Sequence, residues 1–299
     1  MDGIIVVNKE QGFTSHDVVA KLRGILKTKK IGHTGTLDPM ATGVLPVCIG
    51  AGTKLCDRMT DTKKIYRAKM ILGKAYDTED VTGTLIDEAD VNVTEEEIKD
   101  CLSTFVGELS QLPPMYSAVK IDGKKLYEYA RAGKEVERKP RNITVYEIET
   151  EAIEIPYVTM KITCSKGTYI RTLCKDIGEK LGCFGAMAEL ERVYTAGFSI
   201  EDAYTLSEIE KFRDEEKLTD ILYPVDSFYN NLPKTVVKQD SVKLADNGNQ
   251  LKADNLEDDL EEDLIRVYRA DGLFYGVYKK DDVKKAYVPD QLFFCECNS

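Results

Sequence analysis

Two short stretches of this chain carry side chains able to act on a substrate. One reads Gly32-His33-Thr34-Gly35-Thr36-Leu37-Asp38-Pro39 and runs on through Met40-Ala41-Thr42-Gly43-Val44-Leu45-Pro46. Gly32, Gly35 and Gly43 permit backbone shapes and close approaches that a side chain would block. Pro39 pushes Asp38 toward an extended conformation, so the loop would hold a carboxylate stiffly with little bulk around it. The other reads Cys164-Ser165-Lys166-Gly167-Thr168-Tyr169-Ile170-Arg171. Here a strand ends, Gly167 turns the chain, and Thr168 can cap a helix with Arg171 in its first turn. Arginine at the positive end of a helix costs roughly a few tenths of a kcal/mol unless an acid sits close by. An Asp38–Arg171 pair would remove that conflict and keep the carboxylate ionised. Taken singly, Asp38-Pro39 is also a common turn pair, His33 a structural histidine, and Arg171 an ordinary surface arginine.

Other chemistries are excluded. The chain has no phosphate-binding P-loop, no dinucleotide glycine fingerprint and no nucleophile elbow. Asp77, Glu79, Asp80 and Gly83 lack the spacing and final glutamate of a calcium loop, and they read as a turn between strands. Eight cysteines without a C-x-x-C pair and only two histidines, His16 and His33, cannot assemble a zinc finger or a disulfide scaffold. Cys295 and Cys297 form a C-x-C, but two ligands do not close a metal site. No metal and no cofactor are expected. No run reaches the ~18 apolar residues of a membrane span, and the opening MDGIIVVNKE is not a secretory signal. A cytoplasmic protein with reduced thiols and no membrane partner is expected.

Charge is unevenly placed. The chain of 299 residues carries 41 basic and 52 acidic side chains, net −11, which argues against non-specific coating of nucleic acid. Yet Lys21, Arg23, Lys27, Lys29 and Lys30 follow one another with no acid between them. Residues 120–141 hold eight basic side chains against four acids. Such runs are usually solvated faces.

The elements that must position these residues can be read from periodicity. Residues 3–7 suit a buried strand, and Ser15 could cap a helix to about residue 27 with Val18, Val19, Leu22 and Leu26 on its apolar side. Residues 32–46 read as one glycine-rich loop, and a helix is expected over 53–61. Residues 65–72 alternate as a strand does, placing Tyr66 on one face, and 84–86 could extend the same sheet. Thr94 with Glu97 is a capping box opening a helix to about 105. The prolines of 111–116 make an extended loop, 124–132 looks helical and basic, 145–153 and 158–164 suit strands, and 168–181 an amphipathic helix. A second unit begins near Leu232, with short strands at 265–268 and 273–278 joined by an Asp271-Gly272 turn. Seven acids between Asp254 and Asp263 suit a solvated loop.

Together these segments resemble one family. GHTGTLDPMATGVLP, residues 32–46, resembles the catalytic motif of the TruB family of tRNA pseudouridine synthases nearly residue for residue. The same order of motifs continues through Lys9 to Ser15, Tyr66-Arg67, Leu72-Gly73, Asp77-Thr78-Glu79-Asp80, Gln111-Leu112-Pro113-Pro114-Met115-Tyr116-Ser117-Ala118, Lys124 to Arg131 and Lys166 to Arg171. It covers roughly residues 1–200. Glu10 departs from it, standing where the family usually has proline.

The resemblance implies an α+β pseudouridine-synthase fold with a central, mostly antiparallel mixed sheet flanked by helices. A catalytic domain over 1–231, with a basic insertion at about 114–142, would precede a small PUA-like β domain over 232–299. It implies isomerisation of the T-loop uridine at position 55 of tRNA: the base is flipped out, cut from C1′ at N1, turned and rejoined through C5. Asp38 would be the essential carboxylate, by attack at C1′ or by removing the C2′ proton. Arg171 would pair with it, and Tyr66 would lie on the uracil and assist loss of the C5 proton. Lys9, Leu190 and Tyr169 would line the pocket, His33 would fill the space vacated by the base, and Lys29 and Lys30 would meet the RNA. No cofactor is implied. The expected partner is the tRNA T arm, met by a monomer without guide RNA. Two other readings are a tRNA-folding protein that uses the same groove without chemistry and a guide-RNA-dependent subunit. The complete set Asp38, Tyr66 and Arg171 favours the enzyme, and the start of the chain directly at the first strand favours autonomy.

Overall fold

In the computed structural model, residues 1–258 and 260–294 are described; Asp259 of the acidic stretch and the Cys295/Cys297 pair lie outside them. In chain order the first elements are Gly3–Lys9 (β1), Ser15–Leu26 (α1), Ile31–His33 (β2), Thr42–Ile49 (β3), Cys56–Thr60 (α2), Lys64–Leu72 (β4), Lys74–Tyr76 (β5), Leu85–Glu88 (β6) and Glu95–Ser103 (α3). Then come Gly107–Gln111 (β7), Lys120–Ile121 (β8), Lys124–Lys125 (β9), Leu126–Arg131 (α4), Arg141–Glu154 (β10), Tyr157–Cys164 (β11), Ile170–Lys180 (α5), Gly185–Thr195 (β12) and Phe198–Ser199 (β13). The last are Leu206–Asp214 (α6), Lys234–Val236 (β14), Val242–Asp246 (α7), Leu264–Tyr268 (β15), Phe274–Asp281 (β16) and Ala286–Leu292 (β17).

One sheet organises the molecule, in the order β1-β3-β12-β4-β11-β10-β7, with β2 on β3 and β13 on β12. Its pairings are antiparallel except β3 with β12. The expected α+β class with a mostly antiparallel mixed sheet is the one found.

The two halves of this sheet are buried differently. In β1 and β3 successive residues face opposite sides, as strand geometry requires, and both sides are covered. Ile5, Val7, Leu45, Val47 and Ile49 pack under α1 and α6, while Ile4, Val6, Val44 and Cys48 pack on the other side. In β4, β10 and β11 one face is buried under α3 and α5 through Met70, Met160, Ile162, Ile98, Leu173 and Ile177. The opposite face is solvated and carries cross-strand ion pairs such as Arg67–Glu151 at 2.8 Å. Exposed pairs of this kind contribute at most about 1 kcal/mol each.

Several expectations are corrected. Residues 42–46 are not loop but the start of β3, where burial on both faces outweighs the poor strand propensity of Gly43 and Pro46. Gly43 is needed there, at φ +100°, because a Cβ would run into the Arg192 carbonyl where β12 lies alongside. The cap of α1 is Thr14, in a capping box with Asp17; the Ser15 hydroxyl instead accepts the Leu37 N–H at 2.9 Å. Residues 85–88 do not join the main sheet but form a hairpin with β5. Strand β12 carries no clean alternation in its sequence and is missing from the expected elements.

The C-terminal strands form their own sheet in the order β14-β15-β16-β17, with the 265–268 and 273–278 strands and their turn where expected. This sheet is not a detached bead. Val277, Phe274 and Phe293 pack into the cluster that holds Ile4, Val6 and Val44. Arg58 pairs with Asp290 at 2.5 Å, and Lys54 donates to the Leu292 carbonyl at 2.8 Å.

Candidate active site

The Asp38 loop, the mouth of β4, the start of α5 and the inward face of β12 close around a cavity of about 240 Å³. Among its lining residues are Asp38, Tyr66, Tyr169, Arg171 and Leu190. Five residues drawn from four separate parts of the chain thus meet, as the resemblance implies.

The loop is held from beneath. The Leu37 N–H donates to the Ser15 hydroxyl at 2.9 Å, tying the loop to the first turn of α1. Leu37 is buried in the main core, which leaves the neighbouring Asp38 carboxylate turned to the cavity with 37% of its side chain exposed. Arg171 Nε meets Asp38 Oδ2 at 2.9 Å. The guanidinium is itself 5% exposed and is locked by the Thr78 carbonyl at 3.1 Å and the Tyr116 carbonyl at 2.8 Å. Asp80 lies 3.7 Å from its other edge and is 6% exposed. Arg171 is therefore shared between two carboxylates, which settles its awkward place at a helix start.

Burial pushes the Asp38 carboxyl above its ordinary value of 3.8; Arg171 opposes the rise, and Asp80 adds to it. The arginine restrains the pKa rather than depressing it.

The start of α5 is also built differently from expectation. Thr168 does not cap the helix: its hydroxyl donates to the Ser165 carbonyl at 3.0 Å. Tyr169 takes the cap position, and the Gln111 side chain serves its backbone, accepting the N–H at 2.8 Å and donating to the carbonyl at 3.0 Å. Gln111 and the two-proline segment after it, which supplies the Tyr116 carbonyl, thus brace Tyr169 and Arg171 in turn.

Lys9 is not a lining residue. It is fully buried, and its ammonium donates to the carbonyls of Phe13 at 2.6 Å, Glu10 at 3.1 Å and Pro39 at 3.4 Å. Its reach is spent on pinning the opening loop to the residue after Asp38. Burial pushes its pKa down to about 8, against the pull of Asp38. His33 also lies outside the lining, edge-on to His16 with ring centroids 5.2 Å apart, its Nδ1 3.3 Å from the Gly35 carbonyl. Burial and His16 lower its pKa. Lys29 and Lys30 are exposed beyond the end of α1, away from the cavity wall.

Sequence reasoning misses four residues here. Asp80 lies in a motif of the resemblance but is given no role there, and locally reads as part of a turn, which it does cap by accepting the Thr82 N–H at 2.9 Å. Ser117 lines the cavity at 5% exposure. Lys64, 6% exposed, donates to the Thr60 and Thr62 carbonyls at 2.9 and 2.7 Å, and burial pushes it down to about 8. Arg192 is fully buried, with Nε donating to the Val44 carbonyl at 2.7 Å. A basic residue two places after Leu190 shares its strand face, which is the available signal.

Such a site can do chemistry at an electron-poor sugar carbon: an anchored carboxylate beside a hollow wide enough for a planar ring, walled by Tyr66 and Leu190. Comparison with known proteins agrees. Residues 23–170 match the TruB family pseudouridylate synthase N-terminal domain, and residues 171–229 match the tRNA pseudouridylate synthase B C-terminal domain. The tRNA pseudouridine synthase B of Lachnoclostridium phytofermentans is 49% identical over 306 residues, covering 98% of this chain and 100% of that protein. The protein of the same name from Clostridium kluyveri is 44% identical, covering 94% and 96%. Among solved structures, a Cbf5-Nop10-Gar1 complex superposes with a TM-score of 0.74 at 27% identity, over 99% of this chain and 86% of that one. With this cavity and these relatives, the chain belongs to the TruB family of pseudouridylate synthases.

Proposed function

We propose that the protein isomerises uridine to pseudouridine in tRNA, at the T-loop uridine of position 55, acting in the cytoplasm as a monomer without guide RNA. The observation that carries this reading is the 2.9 Å Asp38–Arg171 pair on the wall of a cavity also lined by Tyr66, Tyr169 and Leu190. A base stacked inside a folded loop cannot reach that carboxylate, so it is flipped out at a cost of a few kcal/mol. Asp38 then acts at the ribose as the N1–C1′ bond breaks, much as a glycosidase carboxylate does. Arg171 keeps its oxygens aimed. Tyr66 and Leu190 hold the freed uracil between them while it turns, and Tyr66 accepts the C5 proton after the ring rejoins. His33, one hydrogen-bond length behind Gly35, swings into the space the base has left. Lys29, Lys30 and the basic residues of 120–141 meet phosphates of the T arm.

The test uses unmodified tRNA transcript tritiated at C5 of uridine, with purified protein and no added cofactor. Wild-type protein releases label from the T-loop position, and Asp38→Asn abolishes release while tRNA binding persists. Unchanged release by Asp38→Asn refutes the assigned role. Tight binding with no release by the wild type makes the protein a binder that reshapes tRNA without chemistry.

A further inference from the structure

The cavity contains a second buried guanidinium, and it has no acid. Arg192 stands directly opposite Tyr66 in the β12–β4 ladder, so the two side chains share a face. Both line the cavity. Arg192 is 0% exposed, only its Nε is bonded, and Nη1 and Nη2 have no hydrogen-bond partner among the described residues. No carboxylate lies within ion-pair distance of it among the described residues. Its charged neighbours are cations: Lys64 and Lys9 both feel it as a repulsion. A buried charge without an acidic partner costs several kcal/mol, so a group that becomes anionic beside it would be stabilised there.

The groups that could supply one are few. Asp38 is engaged by Arg171. The Cys164 thiol, on the strand that flanks Tyr66 on its other side, is pushed up to about 11 by burial and stays protonated at neutral pH. Tyr66 remains. Burial pushes its phenol above the ordinary value of 10, and Arg192 is the neighbour that most strongly opposes the rise, with Cys164 and Asp38 adding to it.

We propose that Arg192 is a positioning residue acting through Tyr66: its uncompensated guanidinium is the counter-charge for the Tyr66 phenolate. The inference rests on the reading in which Tyr66 takes the C5 proton. In the rejoined intermediate C5 carries both a hydrogen and the new bond to C1′. The phenolate oxygen takes that hydrogen as a proton, the C–H electron pair forms C5=C6, and the pair of the former N1=C6 bond settles on N1, which takes a proton from solvent water. Tyr66, now a phenol, returns its proton to solvent as product leaves. Arg192 lowers the barrier by making the phenolate accessible inside a site whose burial otherwise forbids it. Arg171 cannot substitute, because its charge is already divided between Asp38 and Asp80.

The experiment reads Tyr66 directly. With 3,5-difluorotyrosine at Tyr66, whose phenol is intrinsically more acidic, fluorine NMR follows its ionisation while the fold is intact. Replacing the guanidinium in Arg192→Gln or Arg192→Met raises the midpoint by about one pH unit or more, tenfold in the ionisation constant, and Arg192→Lys restores most of it. The two neutral variants guard against one failing to fold. In single-turnover C5 release at pH 7, Arg192→Gln loses about 10- to 100-fold with tRNA affinity within about threefold, and adds nothing in a Tyr66→Phe background. An unchanged midpoint in the folded neutral variants, or losses that multiply in the double variant, overturns the proposal. A Tyr66→Phe protein that releases label at the wild-type rate overturns the proton role of Tyr66 itself, a result distinct from either.

Discussion

The two guanidiniums of the cavity make an instructive pair. Arg171 enters from the start of α5 and finds two carboxylates and two carbonyls waiting. Arg192 enters from β12, donates once to a carbonyl, and keeps its two terminal nitrogens unpaired among the described residues. The first is satisfied before any substrate arrives, so its energy goes into holding the geometry of Asp38. The second has no acidic partner among the described residues, and in the proposed reaction the Tyr66 phenolate supplies one. Preorganised charge aimed at a species that exists only during the reaction is the arrangement that accelerates chemistry rather than binding. One wall of the site fixes an aim, and the other stores a potential.

With this division of labour, the two walls break differently. Removing the partner of a buried charge costs about 3–5 kcal/mol. Arg171→Met therefore lowers the melting temperature, because Asp38 and Asp80 are left facing each other, and with Asp38 no longer held in place it lowers the single-turnover rate on the order of 10²- to 10³-fold while tRNA affinity stays within about threefold. Asp80→Asn is milder, about 10- to 30-fold in rate, since Arg171 keeps Asp38 while losing its second anchor. Asp80→Asn as damaging as Arg171→Met would mean that Asp80 supports more than the arginine's position. Neither substitution moves the Tyr66 midpoint, whereas Arg192→Gln does; a common shift would erase the distinction between the walls.

The same contrast explains what is legible in the sequence. Asp38, Arg171, Tyr66 and Tyr169 lie in short motifs legible through their resemblance to one family, Leu190 is a position that resemblance implies, and the structure brings all five to one cavity. Lys9 looks equally available, but whether an ammonium reaches a cavity or a backbone depends on where the Phe13 and Pro39 carbonyls end up, which is a tertiary matter. Asp80 belongs to a turn by every local signal and is also a turn in the fold; its pairing with Arg171 joins segments far apart in sequence. Arg192 sits on a strand that breaks alternation with a register shift between Arg192 and Tyr194. Strand β3 is obscured by Gly43 and Pro46, residues that weaken strand signals locally and are outvoted by burial on both faces.

Lys64, on the Arg192 wall, gives a prediction about stability rather than rate. Burial, then Arg192, pushes it from 10.5 down to about 8. Above pH 10.5 it is neutral in both folded and unfolded chains. Between 8 and 10.5 only the unfolded chain holds the proton, so stability from this group rises with pH. Below 8 the folded protein carries the buried cation and the stabilisation is gone, a change of roughly 3 kcal/mol across the window. Denaturant unfolding of wild type and Lys64→Met at pH 7 and pH 10 isolates it: wild type gains on the variant at the higher pH. A difference independent of pH would mean that the carbonyls of Thr60 and Thr62 keep the ammonium charged, and the Arg192 wall would then be more cationic than its burial allows.

The smallest effect belongs outside the cavity, where charge is exposed and each residue counts for little. Lys27, Lys29 and Lys30 stand at and beyond the end of α1, clear of the cavity. None is held by an ion pair among the described residues, and α1 is tied through Ser15 to the loop that carries Asp38. An RNA backbone lying there would be registered against the Asp38 carboxylate by a rigid helix. Reversing all three charges to glutamate weakens tRNA binding several-fold at low salt and reduces the slope of log affinity against log salt by about 0.7–0.9 for each phosphate no longer neutralised. The single-turnover rate at saturating tRNA stays within about twofold of wild type, since neither wall of the cavity is touched. Unaltered affinity and slope would place the backbone on another face, with residues 120–141 left as the cationic surface that reads it.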